Sequence, residues 1–201
     1  MRDAIFAKIT ATTAALKSKT PLPEYDVAIT HSAPKLAGDD LREIFCRNFK
    51  TVSGKPMSSV NELADFLKST GQLHGYCDPA LFESIGSKLA ASGLTVETTY
   101  DRTRYDDYQF GITRASGAIA ESGTIILDDE RSSHRLAALS PWVHVAVLDV
   151  HEIHRAISDA IAALGDSPNI IWCTGPSKTA DVEGILIEGV HGPGEQIALL
   201  I

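Results

Sequence analysis

Residues 123–165 read GTIILDDERSSHRLAALSPWVHVAVLDVHEIHRAISDAIAALG. Two apolar runs of strand length, GTIILD and VHVAVLDV, alternate with two segments whose apolar residues recur at helical spacing. These are RSSHRLAALS and HEIHRAISDAIAALG, the second closed by Gly165. Parallel strands need a connection of helical length between them, so this alternation predicts an α/β fold built from crossover units on a largely parallel sheet.

The same scheme extends in both directions. Downstream, NIIWCT reads as a strand, and GILIEG and QIALLI are the last apolar runs. These two runs lie too close together for a helical crossover, which predicts an antiparallel edge. Upstream, LHGYC reads as a strand, PALFESIGSKLAASG as a helix and LTVETTY as a strand. SSVNELADFLKSTG predicts a helix with Ser59 as N-cap, Glu62 completing a capping box and Gly71 as the stop. GDDLREIFCRNF predicts another, with Leu41, Ile44, Phe45 and Phe49 on one face. LPEYDVAITH reads as a linker running into a short strand. At the start, Ile5, Phe6, Ile9 and Leu16 fit an amphipathic helix. The expected organisation is one domain over residues 1–201, with a helical N-terminal portion (1–70) and a core (71–201).

Composition limits the partners. Hydrophobic residues make up 44% and charged residues 22%, as in a soluble globular protein. Residues 1–60 hold nine Lys/Arg against six Asp/Glu, and the rest nine against twenty. An acidic body repels phosphate backbones and anionic lipid, so nucleic acid and membrane surfaces are poor partners. No apolar stretch reaches the length of a membrane span, and Asp3 and Lys8 argue against an export signal. Cys46, Cys77 and Cys173 are odd in number and scattered, against a disulfide framework and for a reducing, cytoplasmic setting.

Candidate chemistry concentrates in two Gly- and Pro-rich loops near the C-terminus. TGPSKTAD (residues 174–181) offers backbone amides around Gly175, the hydroxyls of Ser177 and Thr179, the Lys178 ammonium and the Asp181 carboxylate. It is not a phosphate-binding Walker loop, because no glycine directly precedes the lysine. Its hydroxyls could equally cap a turn. GVHGPGEQ (residues 189–196) places His191 between two apolar runs, as an acid–base group or a solvated loop residue. AESGT presents Glu121, Ser122 and Thr124 at a strand entry, where the carboxylate serves as nucleophile or base, or caps the turn. Arg131, Ser132, Ser133, His134 and Arg135 sit at a predicted helix start, where an anion is favoured. HEIH at 151–154 has its histidines three apart rather than four, so a helix surface is expected rather than a metal site. No G-x-G-x-x-G follows a strand, and no cofactor is predicted.

Three segments together carry a resemblance: GITRASGAIAESGTIIL (111–127), HRLAALSPWVHVAVLD (134–149) and TGPSKTADVEGILIEGVHGPGEQIALLI (174–201). They strongly resemble the lactate utilisation protein C family, also called the LUD domain, from about residue 105 to the end. The resemblance implies a three-layer α/β/α sandwich like those of ribose-phosphate isomerases, sugar-phosphate deaminases and CoA transferases. Its sheet would be mostly parallel with an antiparallel edge, preceded by N-terminal helices, with chemistry at the carboxyl ends of the strands. Family members are typically encoded with two iron–sulfur proteins, and the three support oxidation of L-lactate to pyruvate. Iron–sulfur subunits are thus the implied partners. CoA transferases use a glutamate in an E-x-G turn, to which Glu121-Ser122-Gly123 is similar.

These readings converge on one expected pocket for a small anion. Arg135, Gly175, Ser177, Lys178, Thr179, Ser122 and Thr124 would bind the ligand, and Glu121, His191 and Asp181 would carry the chemistry. The leading function is an accessory component of an iron–sulfur L-lactate utilisation system. A stand-alone isomerase, ligase or acyl/CoA-transfer enzyme acting on a small carboxylate or sugar phosphate is the alternative, and a non-catalytic scaffold the third.

Overall fold

The computed structural model describes residues 2–14, 23–24, 26–128, 134–164, 169–180 and 185–201. The chain forms two compact units, residues 1–30 and 31–201. The first contains helix α1 (Arg2–Ala14) and a 3-10 turn at Val27–Thr30. The strand expected near residue 30 is therefore replaced by this turn. Asp26 sets it locally, its side chain accepting the Ala28 N–H (2.9 Å) and its carbonyl the Ile29 N–H (3.1 Å).

The second unit is built on a six-stranded sheet of β1 (Lys55–Met57), β2 (His74–Cys77), β3 (Thr95–Glu97), β4 (Phe110–Arg114), β7 (Val143–Leu148) and β12 (Glu195–Leu200). Their order is β1-β12-β7-β4-β2-β3, and every pair is parallel. A parallel sheet is covered on both faces, and alternation along β7 shows how. Val143, Val145 and Val147 face one core with Ile197 and Leu199 of β12 and Phe110 and Ile112 of β4. That core is closed by α3 (Val60–Ser69) and by α4 (Pro79–Leu81), which continues through a π-helical turn (Phe82–Gly86) into α5 (Ser87–Ala91). Ala146 and Leu148 face the opposite core with Ala198 and Leu200. There they meet Ile44, Phe45 and Phe49 of α2 (Leu41–Thr51), and a second sheet.

The second sheet holds β5 (Gly117–Ile119), β6 (Thr124–Asp128), β8 (Ile153–His154) and β9 (Ile170–Cys173), in the order β8-β5-β6-β9. β6 runs antiparallel to both neighbours. Helix α7 (Ile157–Leu164) packs on it through Ala160 and Leu164. The short α6 (Arg135–Leu139) lies against β4 and contributes Ala138 to the core. The result is an α/β sandwich with a parallel central sheet and antiparallel pairing beside it.

Three local expectations change. The final two apolar runs do not pair. β12 is an interior strand parallel to β1 and β7, whereas β11 (Leu186–Glu188) forms a hairpin with β10 (Lys178–Ala180). Within residues 1–70, expected to be helical, β1 joins the sheet, and α2 and α3 cover its two faces. HEIH is not α-helical. Asp149 accepts the His151 N–H (2.9 Å) in a 3-10 turn, Ile153–His154 pairs with Ala118–Ile119, and the helix starts only at Ile157. The capping of α3 follows its sequence: Ser59 Oγ accepts the Glu62 N–H at 3.1 Å. Gly165 lies outside the described residues.

A candidate pocket between two loops

The two Gly-rich loops meet. Ser177 donates its N–H to the Pro193 carbonyl (2.8 Å) and its own carbonyl accepts the Gly189 N–H (2.9 Å). The second loop is further held by Trp142, whose ring lies against Gly189 and Gly194 and whose carbonyl accepts the Glu195 N–H (3.0 Å). Gly189 has φ +79°, and a Cβ there would collide with the indole, so the position requires glycine.

Between the loops and α6 lies a cavity of about 400 Å³. Its lining includes the apolar residues Ala138, Leu139, Ile171 and Trp172 and the polar residues Thr174, Ser177, His191 and Gln196, with Gly175 and Gly192. Among the described residues, no carboxylate side chain lines it. The cavity lies between the carboxyl end of β9, with Trp172, Cys173 and Thr174, and the amino end of β12, with Gln196.

Of the anticipated site residues, Gly175, Ser177 and His191 line this cavity. Lys178 does not. Its ammonium bonds Ser53 Oγ (2.9 Å) and pairs with Glu188 across the hairpin (3.3 Å). Thr179 sits opposite Ile187 in the same hairpin. Arg135 lines an adjacent cavity of about 420 Å³ with Arg102, His134, Leu136 and Leu139, the last shared between the two. Asp181, Arg131, Ser132 and Ser133 lie outside the described residues.

The Glu121 carboxylate accepts the Ser32 N–H, and the Glu121 N–H donates to the Arg155 carbonyl (3.1 Å). It thus ties a turn and is not among the cavity-lining residues. Gly123 closes that turn at φ +64°, where a Cβ would stand 2.5 Å from Phe49 N. From the turn, hydroxyls lead toward the cavity: Ser122 Oγ bonds Thr124 Oγ1 (2.6 Å), which bonds Thr174 Oγ1 (2.8 Å).

Sequence reasoning missed two sets of polar residues. Asn48, on the apolar face of α2, donates to the Ala120 carbonyl (2.7 Å) and the Lys35 carbonyl (2.9 Å), fixing the approach to the Glu121 turn. His144 and Gln196 face each other on neighbouring strands, and Thr113 lies on the same sheet face. His144 Nε2 is 2.9 Å from Thr113 Oγ1, and its Nδ1 is 2.8 Å from Gln196 Nε2. Burial holds the His144 imidazole neutral, its pKa pushed down to about 4. The available signal was His144 amid the apolar residues of β7 and Gln196 at the head of the apolar run of β12, since a polar group buried in a strand demands a partner.

The sequence profile of the LUD domain matches residues 80–201. The chain belongs to the LUD domain family. The lactate utilization protein C of Anoxybacillus flavithermus is 33% identical to this LUD domain protein over 157 residues, covering 70% of each chain. That of Deinococcus radiodurans is 36% identical over 87 residues, and the chain spans only 41% of its length. The crystal structure of a DUF162 family protein from Deinococcus radiodurans shares the fold, with a TM-score of 0.55 at 19% identity over 84% of this chain and 98% of that one. Among the described residues, no helix is long and apolar enough to cross a membrane.

Proposed function

We propose that this LUD domain protein serves in L-lactate utilisation by binding a small carboxylate between its two Gly-rich loops, as an accessory to iron–sulfur partners. One observation carries the reading. The loops close on a cavity whose lining combines apolar residues (Ala138, Leu139, Ile171 and Trp172) with Thr174, Ser177, His191 and Gln196, and among the described residues no acid lines it. A 2-hydroxy acid combines matching groups, a methyl group and a carboxylate beside a hydroxyl. Relatives bearing the name lactate utilization protein C supply the substrate class.

The acyl-transfer reading would need Glu121 free to attack. Its engagement with the Ser32 N–H, away from the cavity lining, favours the binding role.

The test is L-lactate-dependent dye reduction in extracts of cells lacking this chain, complemented by wild type or by Ser177→Ala/His191→Ala. Activity should disappear with the chain, return with wild type and return weakly with the double variant. Full activity without the chain would contradict the proposal.

A further inference from the structure

A second cavity adjoins the one between the loops, with Leu139 bordering both. It measures about 420 Å³ and is lined by Arg102, His134, Arg135, Leu136 and Leu139. The chain has 26 acidic and 18 basic residues, yet among the described residues no carboxylate lines this cavity. The loop that carries Arg102 has carboxylates to spare, and they are turned elsewhere. Arg104, two residues on, pairs with Asp107 (2.9 Å) and Glu97 (3.2 Å). Arg102 has no ion pair among the described residues. Asp101 beside it accepts the Thr103 N–H (2.8 Å) and hydroxyl (2.6 Å).

The elements that present these side chains are fixed to one another. Asp101 donates its N–H to the Tyr108 hydroxyl (3.0 Å), which anchors the loop just before Arg102. The Tyr108 ring stacks on Tyr100 (4.8 Å), and Tyr100 in turn carries the His134 ring (4.6 Å), with Tyr76 edge-on to it at 6.4 Å. Tyr100 also bonds Ser140 Oγ through its hydroxyl (2.6 Å), tying the loop to the end of α6. His134 Nδ1 is buried without a hydrogen-bond partner among the described residues, so stacking places this ring.

We propose that this cavity is a second anion site and that it takes a phosphate group. A guanidinium fork matches an oxyanion through paired N–H donors, and one fork suffices for a carboxylate. Two forks suit a dianion with three acceptor oxygens, as a phosphate offers. Leu136 and Leu139 make part of the wall apolar, which strengthens the attraction between unlike charges. Inorganic phosphate and the phosphate of an ester share this chemistry. The site stands independently of carboxylate binding in the neighbouring cavity.

The experiment titrates the whole chain at pH 7.5 with inorganic phosphate, glycerol phosphate and sodium acetate, read by calorimetry and by NMR of the amides and histidine rings. Phosphate should give saturable shifts centred on Arg102, His134 and Arg135, with acetate about tenfold weaker. Arg102 is exposed, so its replacement spares the core. Arg102→Gln should weaken phosphate binding about tenfold or more, and Arg102→Lys by less, since the charge stays while the fork is lost. Lys178→Gln, which removes a cation outside the cavity lining, should leave phosphate affinity within about twofold. The His134 ring supplies a second readout. Burial, and then the Arg102 charge, hold its pKa below the ordinary value. Arg102 and Arg135 share its cavity, and Tyr76 and Tyr100 pack on its ring, so a bound dianion offsets the arginines and should raise that pKa. Tighter binding of glycerol phosphate than of inorganic phosphate would support an ester as the ligand, and the reverse order would support the free ion. Acetate binding as tightly as phosphate, unchanged phosphate affinity in Arg102→Gln, or no saturable response at Arg102 and His134 would each overturn the proposal.

Discussion

Lowering the pH from 7 to 4 should cost this fold a large share of its stability through His144 alone. In the unfolded chain this imidazole takes up a proton near pH 6.5, whereas in the folded chain burial delays that to about pH 4. Between those values the unfolded state binds the extra proton, so stability is complete above pH 6.5 and falls as the pH drops towards 4. At 1.36 kcal/mol per pKa unit the loss reaches about 3 kcal/mol, against a total of roughly 5–15 kcal/mol for a typical domain. His134 is shifted in the same direction by burial and by Arg102, and adds to the trend. The assay is urea denaturation at half-unit steps from pH 8 to 4, comparing wild type with His144→Gln. The wild type should lose stability most steeply between pH 6 and 4.5, and the variant should show a flatter profile while being less stable at pH 7. Parallel profiles for the two chains would refute the account of His144 as a buried neutral base.

Three further expectations follow from other parts of the structure. Gly189→Ala forces a side chain into a left-handed position against Trp142, and should cost about 1–3 kcal/mol, read as a drop in melting temperature with altered tryptophan fluorescence. Asn48→Ala strips partners from the Ala120 and Lys35 carbonyls and should cost about 1–3 kcal/mol in urea denaturation. Lys178→Ala breaks a partly exposed pair with Glu188 and should change stability by less than about 1 kcal/mol, leaving carboxylate affinity within about twofold of wild type.

The sheet was readable because its strands are buried on both faces. Runs such as VHVAVL and QIALLI admit few other structures, and the helices between them announce parallel neighbours. The position of β12 was not readable. Nearness in sequence to GILIEG pointed to an antiparallel edge, yet the last strand reaches the interior because the Ser177–Pro193 bond and the Trp142 platform turn the chain back into the sheet. HEIH misled in a similar way, since the Asp149 cap and the pairing of Ile153 with Ala118 override its helical spacing. At the site, the meeting of the two Gly-rich loops was legible from composition alone. The departure of Lys178 and Glu121 from the cavity was not, because each is claimed by a distant partner, Glu188 and Ser53 for one and the Ser32 N–H for the other. Gln196 and His144 went unnoticed because a lone polar residue in a strand declares a need for a partner without naming it.

The central claim is that the cavity between residues 174–177 and 191–196 is where a small carboxylate binds. An amide NMR titration of the whole chain with L-lactate tests it most directly. Saturable shifts concentrated at Gly175, Ser177, His191, Gly192 and Gln196 are the predicted result. Shifts centred instead on Arg102 and Arg135 in the neighbouring cavity, or none at all, would contradict it.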